Sequence, residues 1–295
     1  MREKTELRFG FIVLHYLSDK ATMQCVDSIR RYCKNYDYRI VVVDNNSSNG
    51  SYERLLDNYG NDADILLVHN ATNEGFARGN NVGYRLCRDK LECQFIVAIN
   101  NDAMLADDRF IPLCIADFED TGCGVIGPDI ISTRDNLHQN PIYDIIDTHD
   151  EVKRQIRHFT LLLKLEKLHL YQPLVVLRGM LTGAGMNSSS PYKRNTASAN
   201  LDIPYKLHGA CLIFTPNYIQ CYEDCFDPGT FLYFEEDILL MRCRKAGLKM
   251  LYDSRFCVKH MEDASTDSMK QNARDKQIFV WNNYIHSLNV LKQYI

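Results

Sequence analysis

At residues 95–102 the chain reads Phe95-Ile96-Val97-Ala98-Ile99-Asn100-Asn101-Asp102, an apolar run that ends abruptly in two amides and a carboxylate. The run of consecutive apolar residues predicts a buried strand. Because ligands bind beyond the carboxyl ends of strands in open α/β sheets, Asp102 stands where a site would form. A carboxylate there suits a hard cation such as Mg²⁺ or Mn²⁺. The same residues also suit a turn or a helix cap, so this stretch alone leaves both interpretations open.

The composition is that of a globular protein with a sizeable core. Of the 295 residues, 45% are hydrophobic, which is enough for one large α/β domain or two small ones. A formal net charge of −4 gives no general reason to expect nucleic-acid binding. Eleven cysteines without a Cys-x-x-Cys pair argue against a disulfide framework and a structural zinc site.

Free thiols fit a reducing cytoplasm. The charged start of the chain leads straight into an apolar run and shows no signal peptide. No apolar run approaches the ~20 residues that a membrane-spanning helix needs. We therefore expect a cytoplasmic protein, with any membrane contact made at its surface.

Upstream of Asp102, apolar runs alternate with amphipathic segments, which predicts strand–helix repeats around a mainly parallel sheet. The predicted strands are residues 9–14, 39–43, 65–68 and 95–99. Since the carboxyl ends of parallel strands meet at one edge of a sheet, the residues that follow these strands should share a site.

Polar residues follow the second and third of these strands. The second strand ends at Asp44. Three serines beyond it are predicted to cap the next helix: Ser47, Ser48 and Ser51. The third strand runs into residues 73–83, where glycines permit close backbone approach and Arg78 offers a fixed donor fork.

Two common nucleotide-binding motifs are absent. Gly75, Gly79 and Gly83 are spaced by fours, so they do not form the Gly-x-Gly-x-x-Gly turn of a dinucleotide site. No Walker loop is present. These observations exclude the nicotinamide dehydrogenase and P-loop nucleotidase classes.

Beyond a predicted helix at 110–118 and a strand with an internal turn at 124–131, the strand–helix rhythm is lost between residues 140 and 200. The segment 153–177 is rich in leucine and cations, among them Lys153, Arg154, Arg157, Lys164 and Lys167. Such a segment suits an anionic membrane surface, and it also suits packing on the protein itself. Residues 188–200 are predicted to form a loop.

Residues 205–214 and 255–258 are predicted strands, with His208 at the entrance of the first and His260 at the end of the second. His260 suits a neutral imidazole ligand for the cation at Asp102, or a polar strand cap.

Three acids, Glu235, Glu236 and Asp237, begin a predicted helix. Acids at a helix N-terminus are favourable for the helix dipole alone. A carboxylate beside an apolar wall can instead serve as a general base with a raised pKa. Three acids are more than capping requires.

Five motifs occur in order along the chain: Val43–Ser48, Asn73–Asn81, Asn100–Asp102, Gly209-Ala210, and Phe234–Asp237 with Arg242–Gly247. Together they resemble family-2 glycosyltransferases of the GT-A fold, over about Phe9 to His260 apart from the inserted segment. The chain is most similar to the rhamnosyltransferase-like branch that builds bacterial surface polysaccharides. The resemblance implies an α/β fold with a mainly parallel central sheet, helices on both faces and an acceptor-side insertion.

The resemblance also implies which residues bind the nucleotide-sugar donor. Asp44 contacts the nucleobase, helped by the loop at His15 and Tyr16. The donor-nucleotide wall would be formed by Asn73, Gly75 and Arg78. The segment under the donor sugar would be Gly209 and Ala210.

The metal site follows from the same resemblance. The family's Asp-x-Asp motif matches Asn100-Asn101-Asp102, so Asp102 would hold the Mg²⁺ or Mn²⁺ that bridges the diphosphate. His260 would complete the metal shell. Asn100 and Asn101 remain donor contacts, and the asparagine at the first position removes one charge from the metal site.

The expected chemistry is inversion at the anomeric carbon, with an acceptor hydroxyl attacking as a carboxylate takes its proton. The family's Glu-Asp pair aligns with Glu235 and Glu236, which makes Glu236 the base. Because the family usually has aspartate at that position, Asp237 remains the alternative.

The predicted activity moves rhamnose or a hexose from a UDP- or dTDP-sugar to a saccharide. A lipid-linked oligosaccharide at the inner membrane face is the expected acceptor. A catalytically inactive sugar-nucleotide-binding protein would need none of the acids at 235–237. A sugar nucleotidyltransferase would show a glycine-rich, basic loop after the first strand, and the chain has His15-Tyr16-Leu17-Ser18 there.

The expected organisation is one GT-A domain over residues 1–270 and a C-terminal helical tail over 271–295. Within the domain, residues 1–135 form the nucleotide-sugar-binding half and 201–270 the acceptor and catalytic half. Residues 140–200 form the inserted segment of helix and loop between them.

Overall fold

The computed structural model describes residues 7–182, 201–262 and 272–295. Its strands are β1 Phe9–His15, β2 Tyr38–Asp44, β3 Ile65–His69, β4 Phe95–Asn100, β5 Ala103–Leu105, β6 Val125–Ser132, β7 Cys211–Phe214 and β8 Met250–His260. Its helices are α1 Asp19–Cys33, α2 Ser51–Tyr59, α3 Gly75–Asp89, α4 Phe110–Thr121, α5 His149–Lys167, α6 Tyr171–Thr182, α7 Pro216–Cys221, α8 Glu235–Ala246 and α9 Ala273–Leu291. The predicted loop at 188–200 lies outside the described residues.

The strands form one sheet in the order β3-β2-β1-β4-β7-β6-β8-β5. The first four strands in this order are parallel to one another, as predicted. Beyond β4 the sheet is mixed, because β7 is antiparallel to both β4 and β6 while β6 and β8 are parallel. The predicted α/β fold is confirmed, with helices packed on both faces.

The alternation of side chains along the strands builds two apolar layers. In β1, Phe9, Phe11 and Val13 belong to the layer on one face, and Ile12 belongs to the layer on the other. This period of two is what a central strand covered on both faces requires. Phe9 stacks on Phe95 of the neighbouring strand with ring centroids 4.6 Å apart.

Several local predictions are wrong in detail. Within residues 205–214 only Cys211–Phe214 is a strand, and Lys206 instead forms an isolated bridge with Ile142. The segment at 124–131 contains no internal turn, because β6 is continuous and shifts register between Pro128 and Asp129. This shift is a bulge rather than a chain reversal.

The prediction that serines cap α2 is also wrong, because none of Ser47, Ser48 and Ser51 is its N-cap. The N-cap of α2 is Gly50, in the left-handed region at φ 73°, without a side-chain cap. Ser47 Oγ accepts from the N–H of Leu17, and Ser51 Oγ bonds the ring of His15. The serines therefore join the loops after β1 and β2.

The segment 153–177 forms parts of two helices, α5 and α6, and one face of it packs on the protein. Val152 and Leu163 of α5 are buried, and α5 lies against α9. Arg274 of α9 donates to Glu166 across this contact, with Nε 3.2 Å from Oε1. Among residues 7–182, 201–262 and 272–295, no helix is long and apolar enough to cross a bilayer.

The close backbone approach predicted for the glycines of residues 73–83 is, at Gly79 and Gly83, the approach of α3 to β1. A Cβ added at Gly79 would lie 2.6 Å from Cδ1 of Leu14, and one added at Gly83 would lie 2.5 Å from Cγ2 of Ile12. Such distances are too short for van der Waals contact between carbon atoms.

We therefore predict that Gly83→Ala destabilises the protein although alanine favours helices. Overpacking costs about 1–3 kcal/mol, against a helix-propensity gain of about 1 kcal/mol. Urea unfolding should show a lower midpoint with an unchanged slope. Lys90→Ala, an exposed change at the C-cap of the same helix, is the matched control. A midpoint raised by Gly83→Ala would contradict this packing argument.

Candidate active site

The site lies at the carboxyl end of β4. This strand pairs in parallel with β1 on one side and antiparallel with β7 on the other. β1, β2 and β4 run parallel, so His15, Asp44 and Asn100 end on the same edge of the sheet. β7 runs antiparallel to β4, with Cys211 opposite Ile99, so the residues just before β7 reach this edge from the other side. The backbone N–H of Asn100 donates to the carbonyl of Ala210 at 2.9 Å.

Asp44 ends β2 in a fully buried position. Its Oδ2 lies 2.6 Å from Nδ1 of His69, and the backbone N–H of Ser47 donates to its carboxylate at 3.2 Å. The side chain of His69 is 42% exposed, so His69 lies between Asp44 and solvent. Tyr52 packs on the His69 ring, with centroids 4.8 Å apart.

His15 lies behind this position rather than in the open site. It is fully buried, with Nδ1 2.7 Å from Thr22 Oγ1 and Nε2 2.8 Å from Ser51 Oγ. Burial lowers the pKa of His15, so the ring joins α1 and α2 in its neutral form. Tyr16, the next residue, is half-buried.

Asn45 has a role in this edge that the sequence analysis did not assign. Its Nδ2 donates to Asn73 Oδ1 and to the carbonyl of Gly75, each at 2.9 Å. Its Oδ1 accepts from the N–H of Glu74 at 3.0 Å. One buried amide thereby fixes the loop after β3 to the end of β2. The only sequence signal was an amide next to Asp44 in a polar strand end.

Arg78 and Gly75 lie at the start of α3. The guanidinium of Arg78 is half exposed and lies 3.6 Å from the carboxylate of Glu74. Gly75 has φ +77°, and an added Cβ would lie 2.3 Å from the carbonyl oxygen of Phe231. Only glycine fits there, because both the backbone angle and the close approach exclude a side chain.

Asp102 and His260 are brought together, as the sequence analysis expected. His260 Nε2 lies 3.3 Å from Asp102 Oδ1, and the N–H of Met261 donates to the carbonyl of Asp102. Both side chains are about nine-tenths buried. Asn101 beside them donates from Nδ2 to Thr22 Oγ1 at 3.2 Å, which turns it toward α1.

A chain of hydrogen bonds orients the ring of His260. Gln139 donates from Nε2 to Glu262 Oε1 at 2.7 Å, so its Oε1 accepts from Nδ1 of His260 at 2.8 Å. With Nδ1 held by Gln139, Nε2 is the ring nitrogen that faces Asp102. Metal-binding histidines are held in this way by an outer partner.

The donor set fits a divalent cation held by two protein groups. Two ligands at ~2.1 Å from one cation and at right angles stand about 3.0 Å apart, close to the 3.3 Å observed between Asp102 and His260. Within the described part of the chain, no group of three or more His, Cys, Asp or Glu side chains could hold a metal. A cation bound here would therefore complete its shell from water or from a ligand, as Mg²⁺ commonly does.

The segment His208-Gly209-Ala210 separates this pair from the acids of α8. The N–H of Gly209 donates to Glu236 Oε1 at 3.2 Å. The N–H of Ala210 donates to Nδ1 of His208, whose ring centroid lies 5.6 Å from that of His260. Burial and the nearby His260 lower the pKa of His208 to about 3, so this ring is neutral.

The acids of α8 have different surroundings. Asp237 is buried, lies 2.6 Å from Nζ of Lys206 and accepts from the N–H of Ile146. Glu235 is buried with one carboxyl oxygen that has no hydrogen-bond partner, and burial raises its pKa to about 8. Glu236 is half-buried, and burial raises its pKa while Lys206 lowers it.

The turn before these acids has an unusual backbone. Tyr233 and Phe234 both have positive φ, 76° and 65°, a conformation that costs non-glycine residues energy. Tyr284 of α9 packs on both rings, with centroids 4.7 and 5.3 Å away. The C-terminal helix therefore supports this turn, a contact that the sequence did not predict.

The structure thus brings together Asp102, His260, Asn100, Gly209, Ala210 and Glu236 through direct contacts. Asp44, Asn73 and Gly75 form a second group held by Asn45. Asp237 forms an ion pair with Lys206, and Arg78 forms one with Glu74.

Three solved structures share this fold. A crystal structure of S. aureus TarS gives a TM-score of 0.51 at 12% identity over 86% of this chain and 37% of that chain. The crystal structure of GalNAc-T7 with UDP, GalNAc and Mn²⁺ gives a TM-score of 0.57 at 15% identity, over 88% of this chain and 44% of that chain. The crystal structure of S. aureus TarS 1–349 in complex with UDP-GlcNAc gives a TM-score of 0.52 at 14% identity, over 93% of this chain and 66% of that chain.

The chain spans less than half the length of the first two of these structures. At such identities the likeness shows the fold alone, which is that of GT-A glycosyltransferases. Among curated proteins no match is found. The sequence model described as Glycosyl transferase family 2 matches residues 11–178, more than half of the chain. The resemblance to family-2 glycosyltransferases is thereby confirmed, and the chain belongs to glycosyl transferase family 2.

Proposed function

We propose that this nucleotide-sugar glycosyltransferase is a metal-dependent, inverting enzyme. Its donor would be a UDP- or dTDP-linked hexose or rhamnose and its acceptor a saccharide. The observation that carries the proposal is the segment 208–210, which contacts both the Asp102–His260 pair and the carboxylate of Glu236. The proposed leaving-group site and the proposed proton acceptor would then lie on two sides of one short backbone segment.

On the donor side, Asp102 and His260 would hold Mg²⁺ or Mn²⁺. The bound cation supplies charge stabilisation for the departing nucleoside diphosphate. Asn100 stays a proposed ribose contact, and Gly209 and Ala210 leave room under the donor sugar because they carry little or no side chain. Asp44 is the proposed nucleobase contact, together with the His69 ring that covers it.

On the acceptor side, Glu236 is the proposed base. It is half-buried and its burial raises its pKa, which strengthens it as a proton acceptor. Asp237 fits this role less well, because its carboxylate already pairs with Lys206 and with the backbone of Ile146. Glu235 is more deeply buried and is protonated at neutral pH.

Nucleotide binding tests the donor half of the proposal. Isothermal titration with UDP, dTDP, GDP and ADP, each with and without Mn²⁺, should show metal-enhanced binding of the pyrimidine nucleotides. Asp102→Ala should weaken that binding by at least about tenfold. Asp89→Ala, an exposed carboxylate at the end of α3, is the matched control. Equal binding of a purine without metal would refute the roles of Asp44 and Asp102 together.

A second prediction distinguishes Glu236 from Asp237 as the proposed base. Release of UDP or dTDP from UDP-glucose, UDP-galactose, UDP-GlcNAc and dTDP-rhamnose measures turnover. Glu236→Gln should lower kcat about 10²–10⁴-fold and leave UDP binding unchanged. Asp237→Asn should instead lower the free energy of unfolding by about 3–5 kcal/mol, because it leaves the Lys206 ammonium buried without its counter-charge.

The pH profile of the wild-type enzyme adds a check on the base. Glu236 faces Lys206, Asp237, Glu235 and Tyr284, and its pKa is raised overall. Because a base acts as the carboxylate, kcat should rise with pH along a limb above the ordinary glutamate pKa of about 4.3. A stably folded Asp237→Asn enzyme without turnover, beside an active Glu236→Gln enzyme, would make Asp237 the base.

We further propose that the acceptor is lipid-linked and that α5 and α6 contact an anionic membrane at its inner face. Leu161, Leu168, Leu170, Leu174 and Val176 are each 46–67% exposed. Exposed cations lie among them on α5: Lys153, Arg157, Lys164 and Lys167. Apolar side chains beside cations are the chemistry that an anionic lipid surface attracts.

Vesicle sedimentation tests this contact. The protein should bind vesicles that contain phosphatidylglycerol, bind phosphatidylcholine vesicles weakly, and lose binding in high salt. Leu168→Glu with Leu174→Glu should abolish binding, while Leu56→Glu, on an equally exposed leucine of α2, should not. Binding that survives the double change would exclude this surface as the membrane contact.

A further inference from the structure

A cavity of about 100 Å³ lies beside the proposed base, between α5, α9 and the turn before α8. Its lining includes Phe159 of α5, Tyr284 of α9 and Tyr233 of the turn. Lys206 and Asp237 also line it, and Asp144 does so from the loop before α5. None of these residues has a role in the donor site.

The cavity adjoins Glu236 closely enough for their charges to interact. The ammonium of Lys206 lowers the pKa of Glu236, and the charge of Glu236 adds to burial in raising the pKa of Tyr284. Glu236 lies in the first turn of α8, between the cavity-lining residues Phe234 and Asp237 in the chain. A group that occupies the cavity would therefore lie beside the helical turn that carries the proposed base.

One wall of the cavity is aromatic. Phe159 and Tyr284 meet edge to face with centroids 4.8 Å apart, and Tyr233 meets Tyr284 in the same way at 4.7 Å. All three rings are half-buried. Rings held in this manner present a rigid apolar surface, which suits the C–H face of a pyranose.

The opposite wall is polar and carries an excess of negative charge. Lys206 and Asp237 neutralise one another at 2.6 Å, both almost fully buried. Asp144 adds an exposed carboxylate to the lining. Carboxylates accept hydrogen bonds from sugar hydroxyls and repel anions.

From this geometry we propose that the cavity is the subsite for the acceptor's terminal sugar, and that this sugar is a neutral pyranose rather than a uronic acid or a sugar phosphate. The inference rests on the proposed function. An engineered cavity of ~150 Å³ holds a benzene molecule, so the space here fits one edge of a pyranose ring. The remainder of the sugar would project through the opening, with a hydroxyl directed to Glu236.

Binding of simple glycosides tests the charge preference. Saturation-transfer NMR in the presence of UDP compares methyl β-glucoside, galactoside, mannoside and rhamnoside with methyl β-glucuronide, which differs from the glucoside only in its carboxylate. We expect at least one neutral glycoside to bind at least about tenfold more tightly than the glucuronide. Asp144→Asn should reduce this difference in affinity between the neutral glycoside and the glucuronide. Equal or tighter binding of the glucuronide, or no signal from any glycoside, would overturn the proposal.

Variants of Tyr284 test the aromatic wall. Tyr284→Ala should weaken glycoside binding about tenfold, while Tyr284→Phe keeps the ring and should bind like the wild type. Tyr32→Ala, on the distant helix α1, is the control. UDP titration of each variant distinguishes the two levels of inference. If UDP does not bind the wild type, the proposed function fails; if UDP binds every variant and Tyr284→Ala retains glycoside binding, only the subsite fails.

Discussion

The antiparallel pairing of β7 with β4 is the constraint on which the site depends. β1, β2 and β4 end together because they are parallel, but parallel strands alone would place only their own carboxyl ends at this edge. The reversal at β7 brings residues 208–210, which precede that strand, against Asn100. The backbone N–H of Gly209 then reaches Glu236, so one strand reversal joins the donor edge to α8.

This arrangement places the acids Glu235, Glu236 and Asp237 near the buried ammonium of Lys206. Each of the three acids is accommodated differently. Asp237 is paired with Lys206. Glu235 is kept neutral at pH 7, because burial raises its pKa to about 8. Glu236 is the one of the three that is half-buried, as its proposed role as the base requires. Neighbouring carboxylates thus acquire different pKa values from their surroundings, which is how one acid is selected as a base.

Local patterns predicted much of the first half of the fold, since strand alternation and polar strand ends are properties of short stretches. Asp102 and His260 were paired by motif likeness, and the structure places them 3.3 Å apart. The failures depend on distant contacts. Ser51 was predicted as a cap but bonds His15, and the roles of Asn45 and of the Lys206–Asp237 pair need partners 28 to 31 residues away. Packing of Tyr284 on Tyr233 requires the whole C-terminal helix to be placed.

The two sides of the site are built from different parts of the chain, and this has a consequence for specificity. The proposed donor side uses strand ends whose positions are set by the sheet ladder. The proposed acceptor side uses α5, the turn before α8, and α9. The helix α9 holds that turn with hydrogen bonds from Ser287 to the carbonyl of Leu232 and from His286 to that of Gly229. These bonds and the ring contacts of Tyr284 offset the cost of two positive φ angles. A change in α9 can therefore alter the proposed acceptor pocket and the orientation of Glu236 while the sheet ladder keeps the proposed donor edge in place.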